Sequence, residues 1–499
     1  MNEKDISSLR NALKFIKEQD ELLAIKNEVD PIYEISGISK ALDGSLGILF
    51  ENIKGFPEAR CVCNLLGTRE RMAMIFDSSS HKETKFQALK AIRNPIPPEI
   101  VDSAPCQENV ITENIDVLKT IPIIKHTEED AGRILGGGIV LVSGPDGEFY
   151  EVGFRRTHFQ GKDWASMAFN LGSHMEYHVL KAAKTKAKLP ITFNICPSPA
   201  VWLAAGLGFV SSISAGSDEL GLAGGLQGSP VEICKAKTIE AYSIANSEWV
   251  IEGYLDTGAV VWESSEAGEL GESGKAPFFP EYPGYLGRAY RTFKFQATAI
   301  THRNQPIFHV IPAHSLEAFN VCAPFREAAI YDACDHACPG FVTDVNQLDA
   351  NRGVTGIVIQ VRKRRRRDEG YQRNMIEVVF AASPYSRLVV VVDEDVNIYS
   401  AEDVLWAINS RVNPVSDLMV VAGVRGDPTS PAGRTGTLES TGISGKLGID
   451  ATVPYGLKWL FTRSKFPDVN LEKWLTKEDI SRAKGLQNEY ATFLAEIRS

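Results

Sequence analysis

The stretch that most constrains the fold is a run of β-branched residues, RLVVVVDEDV, at positions 387–396. A continuous apolar run of this kind predicts a strand buried on both faces, as in parallel sheets that are covered by helices. A helix is expected to begin near Ala401 (AEDVLWAINSRV), and the runs VTGIVIQV and IEVVF are predicted as further strands. The C-terminal part of the chain is therefore expected to form an α/β domain.

The middle of the chain has a different pattern. GGGIVLVSG from Gly136, the turn PDGE and then FYEVGFRRTHF predict a β-hairpin, and a helix is expected over about Ser173 to Lys188. Leu316 to Ala337 predicts a helix interrupted near Pro324 that links two domains. At the N-terminus, four residues at helical spacing predict an amphipathic helix capped by Asp5 or Ser7: Ile6, Leu9, Leu13 and Ile16.

Composition excludes several classes of protein. The 499 residues include 53 Lys and Arg against 63 Asp and Glu, a net charge of −10, and 44% are apolar. This acidic, globular composition argues against disorder, and against nucleic acid or a membrane as the main partner. No apolar segment reaches the roughly 20 residues that a membrane span requires. With eight cysteines expected to be reduced, the sequence predicts a cytoplasmic protein.

Three residues form a candidate metal site. Glu151, His174 and Glu232 could together hold a hard or borderline divalent ion such as Mn²⁺ or Mg²⁺. The alternative is two solvated acids and a histidine at the start of a helix, because surface carboxylates are common.

Arg156 and Glu281 form a candidate pair for acid chemistry. An arginine can bind a substrate carboxylate with two hydrogen bonds, and a nearby buried glutamate can transfer a proton. The alternative is an ordinary strand arginine and a loop glutamate. The glycine-rich stretch GLAGGLQG (Gly221–Gly228) could let backbone N–H groups approach a phosphate or a flavin, or could be a flexible loop.

Two other motifs have less specific interpretations. Cys334-Asp-His-Ala-Cys338 is too compact for a zinc site and is expected to be a helix segment with packed cysteines. The run from Arg362 to Arg367 is either a solvated loop or a contact for an anionic substrate tail such as that of a CoA ester.

Taken together, the motifs resemble the UbiD family of prenylated-FMN-dependent (de)carboxylases over nearly the whole length, closest to the hydroxybenzoate and dihydroxybenzoate decarboxylase branch. The segments that carry the resemblance are LRNALKFIKEQDELLAIKNEVDP, EVGFRR, SHMEY, GSPVEICKA, PEYPGY, VVVVDEDVNIYSAEDVLWAINSR and GIDATVPYG. The resemblance implies a split β-barrel, flavin-reductase-like cofactor domain and a C-terminal α/β oligomerisation domain, joined by a helix. The implied boundaries are 1–115 for an N-terminal α/β region, 116–312 for the cofactor domain, 313–337 for the linker helix and 338–499 for the C-terminal domain.

The resemblance also implies cofactors and the residues that hold them. Prenylated FMN, a divalent ion such as Mn²⁺ and a K⁺ ion would share one site. The metal ligands would be Glu151, His174 and Glu232, with Glu151 standing where the family has Asn, so that metal identity or affinity is expected to differ. The implied cofactor-binding residues are Glu151, Val152, Phe154, Arg155, Arg156, Ser173, His174, Gly224, Gly225 and Glu232.

The implied catalytic group is incomplete. Many members use a Glu–Arg–Glu network, to which Arg156 and Glu281 correspond. The other glutamate would stand five residues before Glu281, where this chain has Ala276. Lys275, a displaced acid or water is therefore expected to complete the proton relay, with Arg156, Glu281 and Lys275 as the catalytic residues.

The implied activity is reversible, non-oxidative decarboxylation of a hydroxybenzoate-like or conjugated acid. The expected partners are the aromatic acid, CO₂ and a flavin prenyltransferase that supplies the cofactor, with assembly as a homodimer or homohexamer. The alternatives are an aryl-CoA or other anion-tailed substrate, a non-catalytic cofactor-binding partner subunit, and a flavin oxidoreductase. One geometric condition applies: residues five apart on a regular strand point to opposite faces, so Glu151 and Arg156 meet one cofactor only if the strand ends or bulges, for example at Gly153.

Overall fold

The computed structural model describes residues 4–143, 149–169, 174–207, 218–350, 352–427, 429, 431 and 443–486. The chain divides into two compact units, Met1–Thr452 and Val453–Ser499. Within the described residues, no helix combines the length and apolarity needed to cross a membrane. The second unit contains short 3₁₀ turns at Tyr455–Phe461 and Leu471–Lys473 and helical residues at 477–486.

The helices of the first unit lie throughout its length. The helix at the N-terminus buries Leu9, Ala12, Leu13 and Ile16, and its cap is Ser8, not the expected Asp5 or Ser7. The bounds are α1 (Leu9–Glu18), α2 (Glu34–Ala41), α3 (Arg69–Ile75), α4 (Thr84–Arg93), α5 (Val117–Thr120), α6 (His174–Ala183), α7 (Pro199–Ala205), α8 (Glu219–Gln227), α9 (Ser265–Leu270), α10 (Leu316–Ala337), α11 (Tyr371–Ala382) and α12 (Ala401–Arg411).

The strands complete a mixed α and β fold. Their bounds are β1 (Leu22–Ile25), β2 (Gly47–Phe50), β3 (Arg60–Cys63), β4 (Glu99–Ile100), β5 (Asn109–Ile111), β6 (Ile134–Leu135), β7 (Ile139–Ser143), β8 (Phe149–Phe154), β9 (Thr157–Phe159), β10 (Trp164–Met167), β11 (Lys188–Ile195), β12 (Glu232–Lys235), β13 (Tyr242–Ile244), β14 (Trp249–Trp262), β15 (Pro277–Pro280), β16 (Leu286–Arg288), β17 (Arg291–His302), β18 (Ile307–His309), β19 (Val342–Gln347), β20 (Gly356–Val361), β21 (Leu388–Asp393), β22 (Leu418–Arg425) and β23 (Ile443–Ala451).

The central sheet positions the candidate site. Its strands run in the order β6-β9-β10-β17-β14-β11-β7-β8, and β5 joins β17 as a ninth strand among the described residues. The expected hairpin is present, because β7 and β8 pair antiparallel, although its turn lies outside the described residues. The long strands β14 and β17 form the middle of this sheet and pair from Trp249 opposite His302 to Trp262 opposite Arg291.

The C-terminal sheet confirms most of the α/β prediction. Its order is β19-β20-β21-β23-β22, with β20, β21 and β23 parallel, and α12 begins at Ala401 as expected. The prediction of a strand for IEVVF is wrong, because these residues lie in α11. Met375, Ile376 and Val379 are its buried apolar residues at helical spacing, a pattern that a five-residue apolar run cannot reveal.

Helix α10 follows the central sheet as expected, but it is continuous. Pro324 lies inside it and does not end it. An interior proline costs a helix about 3 kcal/mol, and here most of the helix, including Phe319, Phe325 and Ile330, is buried. Extensive packing therefore outweighs the cost of the missing hydrogen bond.

Candidate active site

Arg156 lies where a strand of the central sheet has just ended. Strand β8 stops at Phe154, and Arg155 and Arg156 lie in the short connection to β9. The expectation that the strand ends between Glu151 and Arg156 is therefore confirmed. The alternative of a bulge at Gly153 is wrong: Gly153 pairs regularly with Val140, and the register shift falls near the start of β8, at Val142/Ser143.

Arg156 is held by two glutamates from distant parts of the chain. Its Nε and Nη2 donate to Oε1 and Oε2 of Glu263 at 3.0 and 2.8 Å, and its Nη1 donates to Glu281 Oε1 at 3.1 Å. Nη2 also donates to the carbonyl oxygen of Arg288 at 3.1 Å. A Glu–Arg–Glu network is therefore present, and we call it the Arg156 cluster: Arg156, Glu263 and Glu281.

Glu263 supplies the carboxylate that the sequence motif lacks. It directly follows β14, is 1% exposed, and also accepts a hydrogen bond from the backbone N–H of Tyr290, at the start of β17, at 2.7 Å. The His158 ring donates from Nδ1 to the Glu263 carbonyl oxygen at 2.8 Å. Burial raises the pKa of Glu263, while the charge of Arg156 opposes this. Its signal in the sequence is an acid at the end of a long apolar strand, before the helix cap Ser264.

The other expected partners are not part of this cluster. Ala276 stands five residues before Glu281, where the resemblance implied the other glutamate of the network. It is fully buried and has no side chain capable of proton transfer. The structure does not bring Lys275 into the cluster, because its side chain is exposed and its recorded contact is a carbonyl bond from Arg288. Of the alternatives for the proton relay, the geometry favours a displaced acid, Glu263, and a role for Lys275 stays a prediction.

Electrostatics fix Arg156 as a cation. Burial alone would lower its pKa, but the charges of Glu263 and Glu281 hold it above the ordinary value for arginine. The guanidinium also lies 4.8 Å from the ring centroid of Phe278. Of its five N–H donors, the recorded bonds use four, which leaves one on Nη1. A carboxylate that binds while these bonds persist would accept one hydrogen bond from this donor, and bidentate binding stays a prediction.

Arg155 has quite different surroundings. It contacts Glu151 Oε1 through Nη2 and lies 3.2 Å from the Met175 sulfur through Nε. Burial lowers the pKa of Arg155 to about 10. The second oxygen of Glu151, Oε2, is buried and has no hydrogen-bond partner among the residues that the structure describes. A buried carboxylate oxygen without a donor is costly unless a cation or a protein donor satisfies it.

Glu219 is the acid of this region that sequence reasoning missed. It is the first residue of α8, which packs against β8. Burial raises its pKa to about 7, with a further contribution from Asp218, and the charge of Arg155 acts in the opposite direction. We call Arg155, Glu151 and Glu219 the Arg155 cluster. Its two half-buried carboxylates, one with a buried and unpaired oxygen, fit a hard divalent cation beside an anionic group.

Glu232 makes no hydrogen bond or ion pair with the Arg155 cluster among the described residues, and its place as a metal ligand stays a prediction. Its side chain is exposed on β12, Asn246 donates to its Oε2 at 3.3 Å, and it lines a separate cavity of about 150 Å³ with Glu99 and Ser198. Among the side chains that the structure describes, no three His, Cys, Asp or Glu residues form a metal-binding group. His174 begins α6, but its side chain lies outside that description, as does all of Ser173.

The glycine-rich stretch is a helix, which corrects the expectation of a loop. Gly224 and Gly225 lie within α8. A Cβ on Gly224 would lie 2.4 Å from the carbonyl oxygen of Ile96, and one on Gly225 would lie 2.9 Å from that of Asn94. These glycines therefore allow α8 to pack closely against the 94–96 connector, and their part in cofactor binding stays a prediction.

The remaining predicted residues have other contacts in the structure, and the cofactor-binding roles of Val152 and Phe154 stay predictions. Val152 is buried in β8, and Phe154 lies 5.2 Å from the ring of Trp202. Within the charge run, Arg362 pairs with Glu394, while Arg365 pairs with Asp368. The expected packing of Cys334 is confirmed, since it is buried in α10.

Comparisons with known proteins identify the family. The chain matches three domains of 3-octaprenyl-4-hydroxybenzoate carboxy-lyase: the N-terminal domain over residues 13–89, the Rift-related domain over 99–315 and the C-terminal domain over 320–451. It is 31% identical over 471 residues to gallate decarboxylase of Lactiplantibacillus plantarum, covering 90% of this chain and 94% of that one.

Solved structures of similar proteins support the same family assignment. The apo 3,4-dihydroxybenzoic acid decarboxylase of Klebsiella pneumoniae superposes with a TM-score of 0.84 at 30% identity, covering 94% of this chain and 99% of that one. An evolved dimeric form of the UbiD-class enzyme HmfF from Pelotomaculum thermopropionicum, in complex with prFMN, gives 0.80 at 30% identity, covering 94% and 100%. The chain therefore belongs to the UbiD family of carboxy-lyases.

Proposed function

We propose that this protein is a prenylated-FMN-dependent decarboxylase that acts reversibly on aromatic, hydroxybenzoate-like acids or on conjugated unsaturated carboxylic acids. The observation that carries the proposal is the Arg156 cluster, in which a half-buried arginine bonds the carboxylate of Glu281 at 3.1 Å. Similarity to gallate and dihydroxybenzoate decarboxylases supports the substrate class, and the relative that binds prFMN supports the cofactor.

The Arg155 cluster is the proposed site for the cofactor phosphate and its metal. Arg155 would pair with the phosphate, while Glu151 and Glu219 would bind Mn²⁺ or another divalent ion. The orphaned Glu151 Oε2 and the raised pKa of Glu219 support Glu219 over Glu232 as the second carboxylate. His174 stays a proposed ligand, and K⁺ stays a proposed companion ion.

Once bound, prenylated FMN supplies the electron sink that loss of CO₂ from an sp² carbon requires. Arg156 would orient the substrate carboxylate through its remaining Nη1 donor. Glu263 would keep the guanidinium in place, because it fixes both Nε and Nη2. The arginine therefore needs no rearrangement when substrate binds, which is how preorganised donors lower a barrier.

Glu281 is the proposed proton donor. Its side chain is 19% exposed and lies against Arg156, so it can be reached by both the cluster and a bound substrate. After CO₂ leaves, Glu281 would protonate the carbon, and in the carboxylation direction it would accept that proton. CO₂ would be the second product of decarboxylation and the second substrate of carboxylation. A flavin prenyltransferase would supply the cofactor, and a homodimer or homohexamer is the proposed assembly.

The experiment that tests the proposal identifies the cofactor and the reaction together. Protein co-expressed with a flavin prenyltransferase would be analysed for the mass and absorbance of its released small molecule, then assayed for CO₂ release from a panel of hydroxybenzoic and acrylic acids. The proposal predicts a prenylated FMN mass and turnover of at least one acid. Plain FMN with NAD(P)H consumption would favour a flavin oxidoreductase, and mature cofactor without turnover would favour a partner subunit.

A further inference from the structure

The turn that carries Glu281 is attached to the C-terminal sheet. Tyr282, the next residue, donates its phenolic hydrogen to Oδ2 of Asp427, which lies two residues beyond β22. Asp427 is 2% exposed, and its other oxygen accepts from the backbone N–H and the hydroxyl of Thr429 at 2.9 and 2.7 Å. Both oxygens of the carboxylate are therefore engaged, and its orientation is fixed.

Two further contacts hold Tyr282 on its other sides. The His314 ring donates from Nδ1 to the Tyr282 carbonyl oxygen at 2.7 Å. The phenol ring packs on Gly353, where a Cβ would lie 2.1 Å from the ring, so that position must be glycine. The backbone and the ring of Tyr282 are thus set by segments that lie before α10 and after β19, respectively.

The protonation state of Tyr282 keeps its phenol as the hydrogen-bond donor and the Asp427 carboxylate as the acceptor. Burial and the charge of Asp427 raise the pKa of Tyr282 well above its ordinary value, so the phenol remains a donor. A hydrogen bond from a neutral donor to a carboxylate is stronger than one between neutral groups. This charge-assisted bond joins the turn to the segment that follows β22 of the C-terminal sheet.

We propose that Tyr282 and Asp427 are positioning residues that hold the Glu281 carboxylate at the distance and orientation required for proton transfer. The inference deepens the proposed function and rests on it. Glu281 has its side chain in the Arg156 cluster, and its backbone continues directly into Tyr282, so displacement of the phenol moves the carboxylate. A misplacement of about 1 Å in a reacting group can cost about 100-fold in rate.

The test compares three variants of the cofactor-loaded enzyme with a matched control. Tyr282→Phe removes the phenolic oxygen and keeps the ring, Asp427→Asn removes the charge and keeps the shape, and the third variant combines them. The control is Tyr285→Phe, the same substitution on the same turn at a residue that is 59% exposed. Measurements are kcat, KM, bound cofactor and solvent deuterium incorporation into the product.

The proposal predicts a 10- to 100-fold loss of kcat and of deuterium incorporation in each single variant, on the scale of such misplacements. KM and cofactor content should stay within about twofold, because binding groups are untouched. The double variant should be no slower than the slower single one, since both substitutions break one interaction. Tyr285→Phe should match wild type.

Other results would overturn the positioning role. Unchanged kcat in Tyr282→Phe and Asp427→Asn would show that the bond does not position Glu281, and losses that multiply in the double variant would show two independent effects. A fall in cofactor content or thermal stability that fully accounts for the lost rate would show a purely structural role. If wild type itself binds no prenylated cofactor and releases no CO₂, the proposed function fails, and the inference fails with it.

Discussion

Two adjacent arginines of this protein have opposite electrostatic surroundings. Three donors of Arg156 bond two carboxylates, a fourth bonds the carbonyl oxygen of Arg288, and the pKa of Arg156 is raised. Arg155 lies against Glu151, its pKa is lowered to about 10, and Oε2 of Glu151 has no hydrogen-bond partner among the described residues. Each cluster combines one arginine with two glutamates. In the Arg156 cluster both carboxylates are hydrogen-bonded to the guanidinium, whereas in the Arg155 cluster one carboxylate oxygen has no donor within the described part of the chain.

The difference separates two functions. A cluster that is complete without ligand is preorganised, so it can orient a substrate and hold a proton donor without rearrangement. A cluster with buried, incompletely paired carboxylates gains most from a bound ion, because burial of an uncompensated charge is unfavourable. The first is suited to chemistry and the second to cofactor binding, and the following predictions test that division.

The largest effect is expected from Arg156→Met. The substitution leaves Glu263 as a buried charge without its partner, which costs about 3–5 kcal/mol in the free energy of unfolding. We expect turnover to fall by at least about 1,000-fold, a loss typical of removing a preorganised charged donor. Denaturant unfolding and steady-state kinetics measure both. Arg155→Met, assayed with Mn²⁺ present, should lose less stability, and equal losses would remove the distinction between the clusters.

Glu263→Gln is expected to have the next largest effect. The amide keeps the shape of the side chain but cannot neutralise Arg156, so we expect kcat to fall by about 100-fold. The control is Glu266→Gln, an exposed acid three residues along the chain that should leave kcat unchanged. Full activity of Glu263→Gln would show that the glutamate only buries the arginine and has no part in the reaction.

Metal binding should distinguish Glu219 from Glu232. A divalent ion at about 100 times its Kd stabilises the folded protein by about 2.7 kcal/mol, so Mn²⁺ should raise the thermal unfolding temperature of wild type by a few degrees. We expect Glu219→Gln to lose this shift and Glu232→Gln to keep it. The opposite pattern would place the metal beside Asn246 and would restore the sequence-based ligand set.

The smallest effect is expected from Lys275→Met. Its exposed side chain lies outside the Arg156 cluster, so kcat and KM should stay within about twofold of wild type. The measurement is a kinetic assay with the same acid that wild type converts. A loss above 10-fold would return Lys275 to the proton relay and would mean that Glu263 does not complete it.

The parts of the fold that the sequence predicted are those determined by local patterns. The run before Asp393 formed a buried parallel strand, and the segment from Ala401 formed a helix, because periodicity and caps act over a few residues. The predictions of a strand for IEVVF and of a loop for the glycine-rich stretch were wrong, because the local pattern there does not determine the element. A five-residue apolar run and a run of glycines each fit two elements, and tertiary packing decides between them.

The candidate site was predicted only in part. Arg156 and Glu281 were identified through motif resemblance, and the structure pairs them. Glu263 was missed because its contact with Arg156 spans 107 positions and is set by the end of β14, which no local spacing records. Glu219 and Glu232 flank the same glycine-rich stretch, and only the packing of α8 on β8 distinguishes them.

The measurement that tests the central claim most directly is solvent deuterium incorporation into the decarboxylated product, catalysed by cofactor-loaded wild type and by Glu281→Gln. The account predicts incorporation at the carbon that carried the carboxylate in wild type, and its loss in Glu281→Gln at unchanged cofactor content. Deuterium incorporation by Glu281→Gln at the wild-type rate would contradict the assignment of Glu281 as the proton donor and would detach the Arg156 cluster from the reaction.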